Sequence, residues 1–180
     1  RKLVVHAGEL TLSDSDKPSG DWVVCNALPS SLTTLELYDW YGETVKMNWF
    51  PSQVQDLTLG YEFDSKVEPG VLPAKLKHLT FLRGPQGPLV AGAFPGGLTT
   101  LTFGDAFNAP LRVGVLPNSI THLNFGDAFN QRLGVGVLPS RLNAQQFGFN
   151  FNQHVEPGTF PGTLRRIEFG GGYAQPLEAN

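Results

Sequence analysis

Four histidines, one cysteine and a few repeated aspartates are the residues with which this 180-residue chain could do chemistry. His78 and His122 stand 44 residues apart, twice a 22-residue interval that runs through the sequence. If each interval is one coil of a stacked chain, the two imidazoles lie roughly 9–10 Å apart, two strand spacings. That is too far to share a zinc ion, and His6 and His154 fall at other positions of the interval. Asp105 and Asp127 share one position in successive intervals. Two stacked carboxylates can hold Ca²⁺ together with carbonyls and water, or serve as solvated turn residues beside glycine. Asp14 and Asp16 sit in the segment SDSDKPSG and carry no stronger metal signal. Cys25 has no patterned base and orienting group around it, as a nucleophile requires. No Ser-His-Asp order, phosphate loop or paired-carboxylate cleft stands out. The sequence therefore predicts no catalytic residue, no cofactor and no metal.

The element that positions every side chain is the interval itself. Pro29, Pro51, Pro73, Pro95, Pro117, Pro139 and Pro161 are each 22 residues apart, and each follows Leu or Phe. Three residues later comes an aliphatic: Leu32, Val54, Leu76, Leu98, Ile120, Leu142, Leu164. Then follow Leu35, Leu57, Leu79, Leu101, Leu123, Gln145 and Ile167, and two further on Leu37, Leu59, Phe81, Phe103, Phe125, Phe147 and Phe169. This L-x-x-L-x-L spacing at a period of 20–29 residues is the signature of leucine-rich-repeat solenoids. Its alternating end is a short strand with one buried face, which only a neighbouring coil can cover. Glycine and proline in the return path disfavour helix. The expectation is a mainly β, right-handed solenoid with one parallel sheet of about eight short strands, centred near residues 11, 36, 58, 80, 102, 124, 146 and 168. The return path should be extended or 3₁₀, with little or no helix. Residues 1–28 form an atypical first repeat that serves partly as an N-terminal cap; its strand is assigned to Ala7-x-x-Leu10-x-Leu12. Residues 29–180 form seven 22-residue repeats, the last incomplete.

The phrase FGDAFN occurs at 103–108 and 125–130, and FGFNFN at 147–152. Here Phe-Gly ends the strand and bends the chain. Phe107, Phe129 and Phe151 then point inward, and Asn108, Asn130 and Asn152 form a ladder between coils, donating to one copy and accepting from the next, and satisfy backbone groups stranded by the bend. A second glycine column, Gly70, Gly92, Gly114, Gly136 and Gly158, lies in the return path, and its Pro-Gly copies, Pro69-Gly70 and Pro157-Gly158, read as the centre of type II turns. Gln145 is the polar exception in a leucine column, and its amide is expected to point inward and be hydrogen-bonded.

LPNSITHLNFGDAFNQRLGVGVLP and its neighbours resemble the FNIP repeat family, a 22-residue relative of leucine-rich repeats with a pattern close to LPxSLTxLxFGxxFNQPLxxGxLP. The likeness covers residues 29–180, with departures at Tyr41-Gly42 and at Pro85 in the Phe column. The resemblance implies an interaction scaffold, in some members behind an F-box, and supplies no catalytic residue to carry over.

Function then rests on what faces outward between the leucine columns. A protein-binding strip is assigned to Thr58, His78, Thr80, Thr100, Thr102, His122, Asn124, Gln146, Arg166 and Glu168; the alternative is a solvated sheet face. Tyr38, Trp40, Tyr41 and Trp49 break the repeat pattern as an aromatic contact or as part of the cap. A net charge of −3 gives no expectation of nucleic-acid or membrane binding. Cys25 alone and the lack of an Asn-x-Ser/Thr sequon favour a cytoplasmic setting, with virion and extracellular settings left open. The predicted function is a non-catalytic scaffold that binds another protein through its solenoid surface. The alternative is a structural component assembling through its coils into a coat, filament or virion surface, with self-association through the C-terminal edge.

Overall fold

A computed structural model describes residues 2–5, 28–38, 45, 47–61, 63 and 65–177. Eight strands form one parallel sheet in chain order: β1 (Lys2–Val5), β2 (Thr34–Leu37), β3 (Asp56–Leu59), β4 (His78–Phe81), β5 (Thr100–Thr102), β6 (His122–Asn124), β7 (Ala144–Gln146) and β8 (Arg166–Glu168). From β2 onward the register advances by 22: Leu35 pairs with Leu57, Leu57 with Leu79, and so on to Gln145 with Ile167. No helix, α or 3₁₀, occurs among the described residues, so the return path consists of turns and extended chain.

The first strand corrects the sequence reading. The place beside β2 is taken by Lys2–Val5, with Leu3 opposite Leu35, and not by a strand near residue 11. Lys-Leu-Val-Val offers β-branched residues that suit a pleated ladder better than Ala7-Gly8-Glu9-Leu10 does. The first interval is therefore 32 residues, ten longer than the repeat, where a strand centred near residue 11 implies an excess of only about three. Ala7, Leu10 and Leu12 lie outside the described residues.

Packing follows from the pattern. In each strand of the middle array the central Leu is buried and its neighbours are less so. Beneath the sheet run two ladders of aromatic rings. The strand ladder links Phe81, Phe103, Phe125, Phe147 and Phe169 at 5.4–6.1 Å between centroids. The turn ladder links Phe107, Phe129, Phe151 and Tyr173 at 5.9–6.1 Å, with ring planes within 7°. Within a coil the two ladders touch: Phe103–Phe107, Phe125–Phe129 and Phe147–Phe151 stack at 3.9–4.0 Å. Phe63, Phe81, Phe103, Phe107, Phe129, Phe147 and Phe151 are among the most deeply buried side chains.

The two glycine columns answer different constraints. Gly70, Gly92, Gly114, Gly136 and Gly158 have φ between +80° and +85°. Each stands third in a turn closed from the fourth residue to the first, as in Val115 N–H donating to the Arg112 carbonyl at 3.2 Å. That combination is a type II turn, and Asn48, at φ +65°, fills the same column in the coil before Gly70. The strand-end column, at the bend that a residue with Cβ would resist, is held by contact instead of by φ. A Cβ on Gly126 would lie 2.4 Å from the backbone of Gly104, and one on Gly60 1.8 Å from the Tyr38 carbonyl oxygen. At this corner successive coils come so close that a side chain has no room.

Candidate functional site

The strands place two rows of side chains on the outer face of the sheet. One row reads Thr34, Asp56, His78, Thr100, His122, Ala144, Arg166; the other reads Glu36, Thr58, Thr80, Thr102, Asn124, Gln146, Glu168. His78, His122, Gln146 and Arg166 are exposed, while Thr58, Thr80, Thr100, Thr102, Asn124 and Glu168 are half-buried by their neighbours in the rows. All ten residues of the assigned strip thus share one surface.

Side-chain bonds within and between strands order parts of it. Thr34 Oγ1 donates to Asp56 Oδ2 at 3.3 Å, and His78 Nε2 lies 3.9 Å from Asp56 Oδ1. Asn124 Nδ2 approaches Thr102 Oγ1 at 3.5 Å, and Thr121 Oγ1 and His122 Nδ1 lie 2.9 Å apart. Arg166 pairs with Glu168 through Nε at 2.8 Å and through Nη2. The order Thr34–Asp56–His78 puts the carboxylate between hydroxyl and imidazole. The imidazole therefore does not touch the hydroxyl it would have to deprotonate, and the row lacks the geometry of a nucleophilic triad. His78 and His122 are separated by the whole of β5. Among the described residues no three His, Cys, Asp or Glu side chains converge on a point where a metal could sit. Asp127 has a local duty: its Oδ1 accepts the Phe149 N–H at 2.9 Å, while Asp105 is exposed.

The Asn column works differently from the amide-to-amide ladder. Asn108 Oδ1 accepts the backbone N–H of Asn130 at 2.9 Å and the side-chain amide of Gln131 at 3.0 Å. Asn130 does the same for Asn152 and Gln153, and Asn152 for Ala174 and Gln175. The carbonyl oxygen reaches the next coil's main chain because that N–H, just past the corner, has no strand partner, and main-chain groups are satisfied first. Gln131, Gln153 and Gln175 were missed as members of this network, although their 22-residue spacing was readable. Gln145 is buried at 2% exposure; its Nε2 donates to the Gln146 carbonyl at 3.0 Å, while its Oε1 has no partner.

Of the aromatic cluster, Tyr38 is half-buried and its hydroxyl donates to Glu36 at 3.3 Å. Trp49 packs on the core, edge-on to Phe50 at 6.5 Å. Trp40 and Tyr41 lie outside the described residues. Burial pushes the ionisation of Tyr173 up from the ordinary phenol range, and among the described residues its hydroxyl has no partner.

Comparison with known proteins agrees with this architecture. A family model described as FNIP Repeat matches residues 44–83, 86–128 and 129–172. Among solved structures the chain is similar to CroV588, described as a novel circular LRR protein structure, with a TM-score of 0.81 and 39% identity. The match covers 84% of this chain and 22% of that one, so the chain spans about a fifth of that protein's length. No curated protein matches significantly. Three adjoining family matches, laid over coils whose strands, corner glycines and Phe-Asn turns repeat every 22 residues, place the chain in the FNIP repeat family.

Proposed function

We propose that this solenoid is a non-catalytic scaffold that binds another protein through the outer face of its sheet. One observation carries the reading. Inward strand positions hardly vary from β2 to β8: each is Leu, Ile or Phe, apart from Gln145. The outward row beside them changes freely: Asp56, His78, Thr100, His122, Ala144, Arg166. The fold does not choose these side chains, so they are open to selection by a partner. Solenoids use such faces because neighbouring coils present a continuous surface about 4.8 Å per step. The rows hold few long flexible side chains between β4 and β7, which keeps the ordering cost of binding low.

The test is site-directed photocrosslinking. A photoreactive residue at Thr102 should capture a partner that one at Arg112, in the return path, does not. The captured protein, purified, should then bind the wild type and bind His122→Glu/Asn124→Arg at least roughly tenfold more weakly, as for a changed centre of an interface. Equal capture at both positions, or unchanged affinity, would overturn the assignment. The alternative, a component that assembles through its coils, draws support from the circular form of CroV588.

A further inference from the structure

The charges around the outer face of the sheet are sorted by margin. Just before each strand, the second and fourth residues after the repeat proline form two columns. These hold Lys75, Lys77, Arg141 and Arg165, otherwise Ser, Thr, Gln, Asn and Gly, and no Asp or Glu. At the far ends of the strands and the corners beyond them the sign reverses: Glu36, Asp105, Asp127 and Glu168 stand against Arg83 among the described residues. A chain of net charge −3 thus gathers cations along one margin of its sheet. The fold does not demand them, since Gly97, Ser119 and Thr163 fill the same column as Lys75 and Arg141.

Their charge is exposed and uncancelled. Lys75, Lys77 and Arg141 are exposed, and none has a carboxylate partner among the described residues. Lys75 Nζ donates to Gln53 Oε1 of the preceding coil at 2.6 Å, and Lys77 Nζ to the Gly97 carbonyl of the following coil at 3.2 Å. Both acceptors are neutral, so each ammonium is held in place without an ion pair. The two diverge along the solenoid and carry positive charge from the coil of β3 to the coil of β5, with Arg141 two coils further on. His78 and His122 adjoin them in the outward row. Asp56, the carboxylate of that row, already accepts from Thr34 and faces His78. Arg132 and Arg166, by contrast, are paired with Glu156 and Glu168.

We propose that this margin binds an acidic segment of a protein partner, laid from coil to coil past Lys75, Lys77 and Arg141. The columns of Lys75 and Arg141 are three strand spacings apart, roughly 14 Å, which an extended segment of about five residues spans. Side chains on one side of such a segment recur about every 6.6–7 Å, so carboxylates at alternate positions meet cations displaced toward neighbouring coils. A nucleic acid is the competing polyanion. Asp105 and Asp127, exposed on the opposite margin, repel a long phosphate backbone, whereas a protein segment concentrates its acid locally. The inference rests on the reading of the sheet as a protein-binding face and names the chemistry that the partner brings to one margin of it.

Fluorescence anisotropy of the 180-residue chain with a labelled octaglutamate peptide tests it, with circular dichroism to follow the fold. Octaglutamate should bind the wild type, and more weakly as salt rises. Lys75→Glu/Lys77→Glu should bind it at least roughly tenfold more weakly, because two attractions become repulsions. Lys66→Glu/Arg112→Glu makes the same change of net charge at exposed residues of the return path and should stay within roughly twofold of wild type. If the first variant loses its sheet signal, Lys75→Gln/Lys77→Gln decides, with an expected loss of roughly threefold. A wild type that does not bind octaglutamate, or equal losses in the two double reversals, would overturn the proposal. So would a labelled octathymidylate that binds more tightly than the peptide, which would make the margin a nucleic-acid site. Capture of a partner at Thr102 without any binding of octaglutamate would leave the face reading standing and remove this one alone.

Discussion

The coils of β5 to β7 and the coil of β4 are built on the same 22-residue frame and packed differently. In the first group each coil contributes two stacked rings, and both ladders run without a break. In the β4 coil Pro85 takes the place of the second ring. Phe81 then stacks on Phe103 at 6.1 Å and meets Phe63 at 5.7 Å with planes tilted by 45°. Pro85 is buried, and Gly84 beside it adopts φ +135° with its Cα facing Phe107. The strand, its register and its buried leucine survive all of this. At the strand position the fold requires a buried apolar side chain, Leu37 and Leu59 in β2 and β3 and a ring from β4 onward. The turn ladder is an added layer of packing that one coil can omit.

The comparison breaks first at the corner glycines. Gly126→Ala should cost about 4 kcal/mol or more, because its Cβ meets the Gly104 backbone at 2.4 Å and main chain cannot step aside. Gly114→Ala is the control: its φ is +85° but nothing lies within 4 Å, so only the left-handed conformation is penalised, about 1–2 kcal/mol. Urea denaturation of both variants separates close approach from backbone freedom. Equal losses would show that φ governs both columns.

The rings come next. Phe129→Ala removes a fully buried ring from the middle of the turn ladder and should cost about 3–5 kcal/mol. Pro85→Ala, in the coil that already lacks the ring, should cost about 1 kcal/mol, mostly through the freer unfolded chain. If the two lose similar stability, the turn ladder is no better packed where it is continuous. A smaller effect belongs to the corner amides. Asn130→Ala takes the acceptor from Asn152 N–H and Gln153, leaving a main-chain donor to half-access water, and should cost about 1–2 kcal/mol. Faster amide exchange at residue 152 should accompany the loss.

These contrasts mark what could be read from the sequence. Seven of the strands were legible because one face of each must be buried, and that requirement writes Leu35, Leu57, Leu79 and their equivalents at a fixed interval. β1 was not, since the period that identified the others fails there and only the composition of Lys2–Val5 remains as a signal. The corner glycines were legible as places where a Cβ is resisted; a sequence does not show whether φ or a neighbouring coil excludes it. The Asn column was legible together with its bonds to main-chain groups at the bend, while the amides of Gln131, Gln153 and Gln175 were not read as partners. The outward rows were legible as positions. Their contacts, such as Asp56 between Thr34 and His78, depend on side-chain rotamers that no spacing encodes.

The smallest expected effect is at Gln145, and its sign is the informative part. Its register partners are Leu123 and Ile167, both apolar, and it is as buried as they would require. The amide keeps one bond, from Nε2 to the Gln146 carbonyl, and leaves Oε1 unpaired. That carbonyl also accepts Phe125 N–H at 2.9 Å, so removing the amide strands no main-chain group. Leucine is close to glutamine in volume and matches the neighbours above and below. Gln145→Leu therefore exchanges one neutral hydrogen bond, about 1 kcal/mol, for relief of a buried orphan oxygen and for apolar contact, together about 1–3 kcal/mol. The variant should be more stable than wild type by about 1 kcal/mol, read as a higher urea midpoint at unchanged m. A loss of stability would mean that Oε1 has a partner in solution, such as an ordered water, and that this coil depends on it as the leucine coils do not.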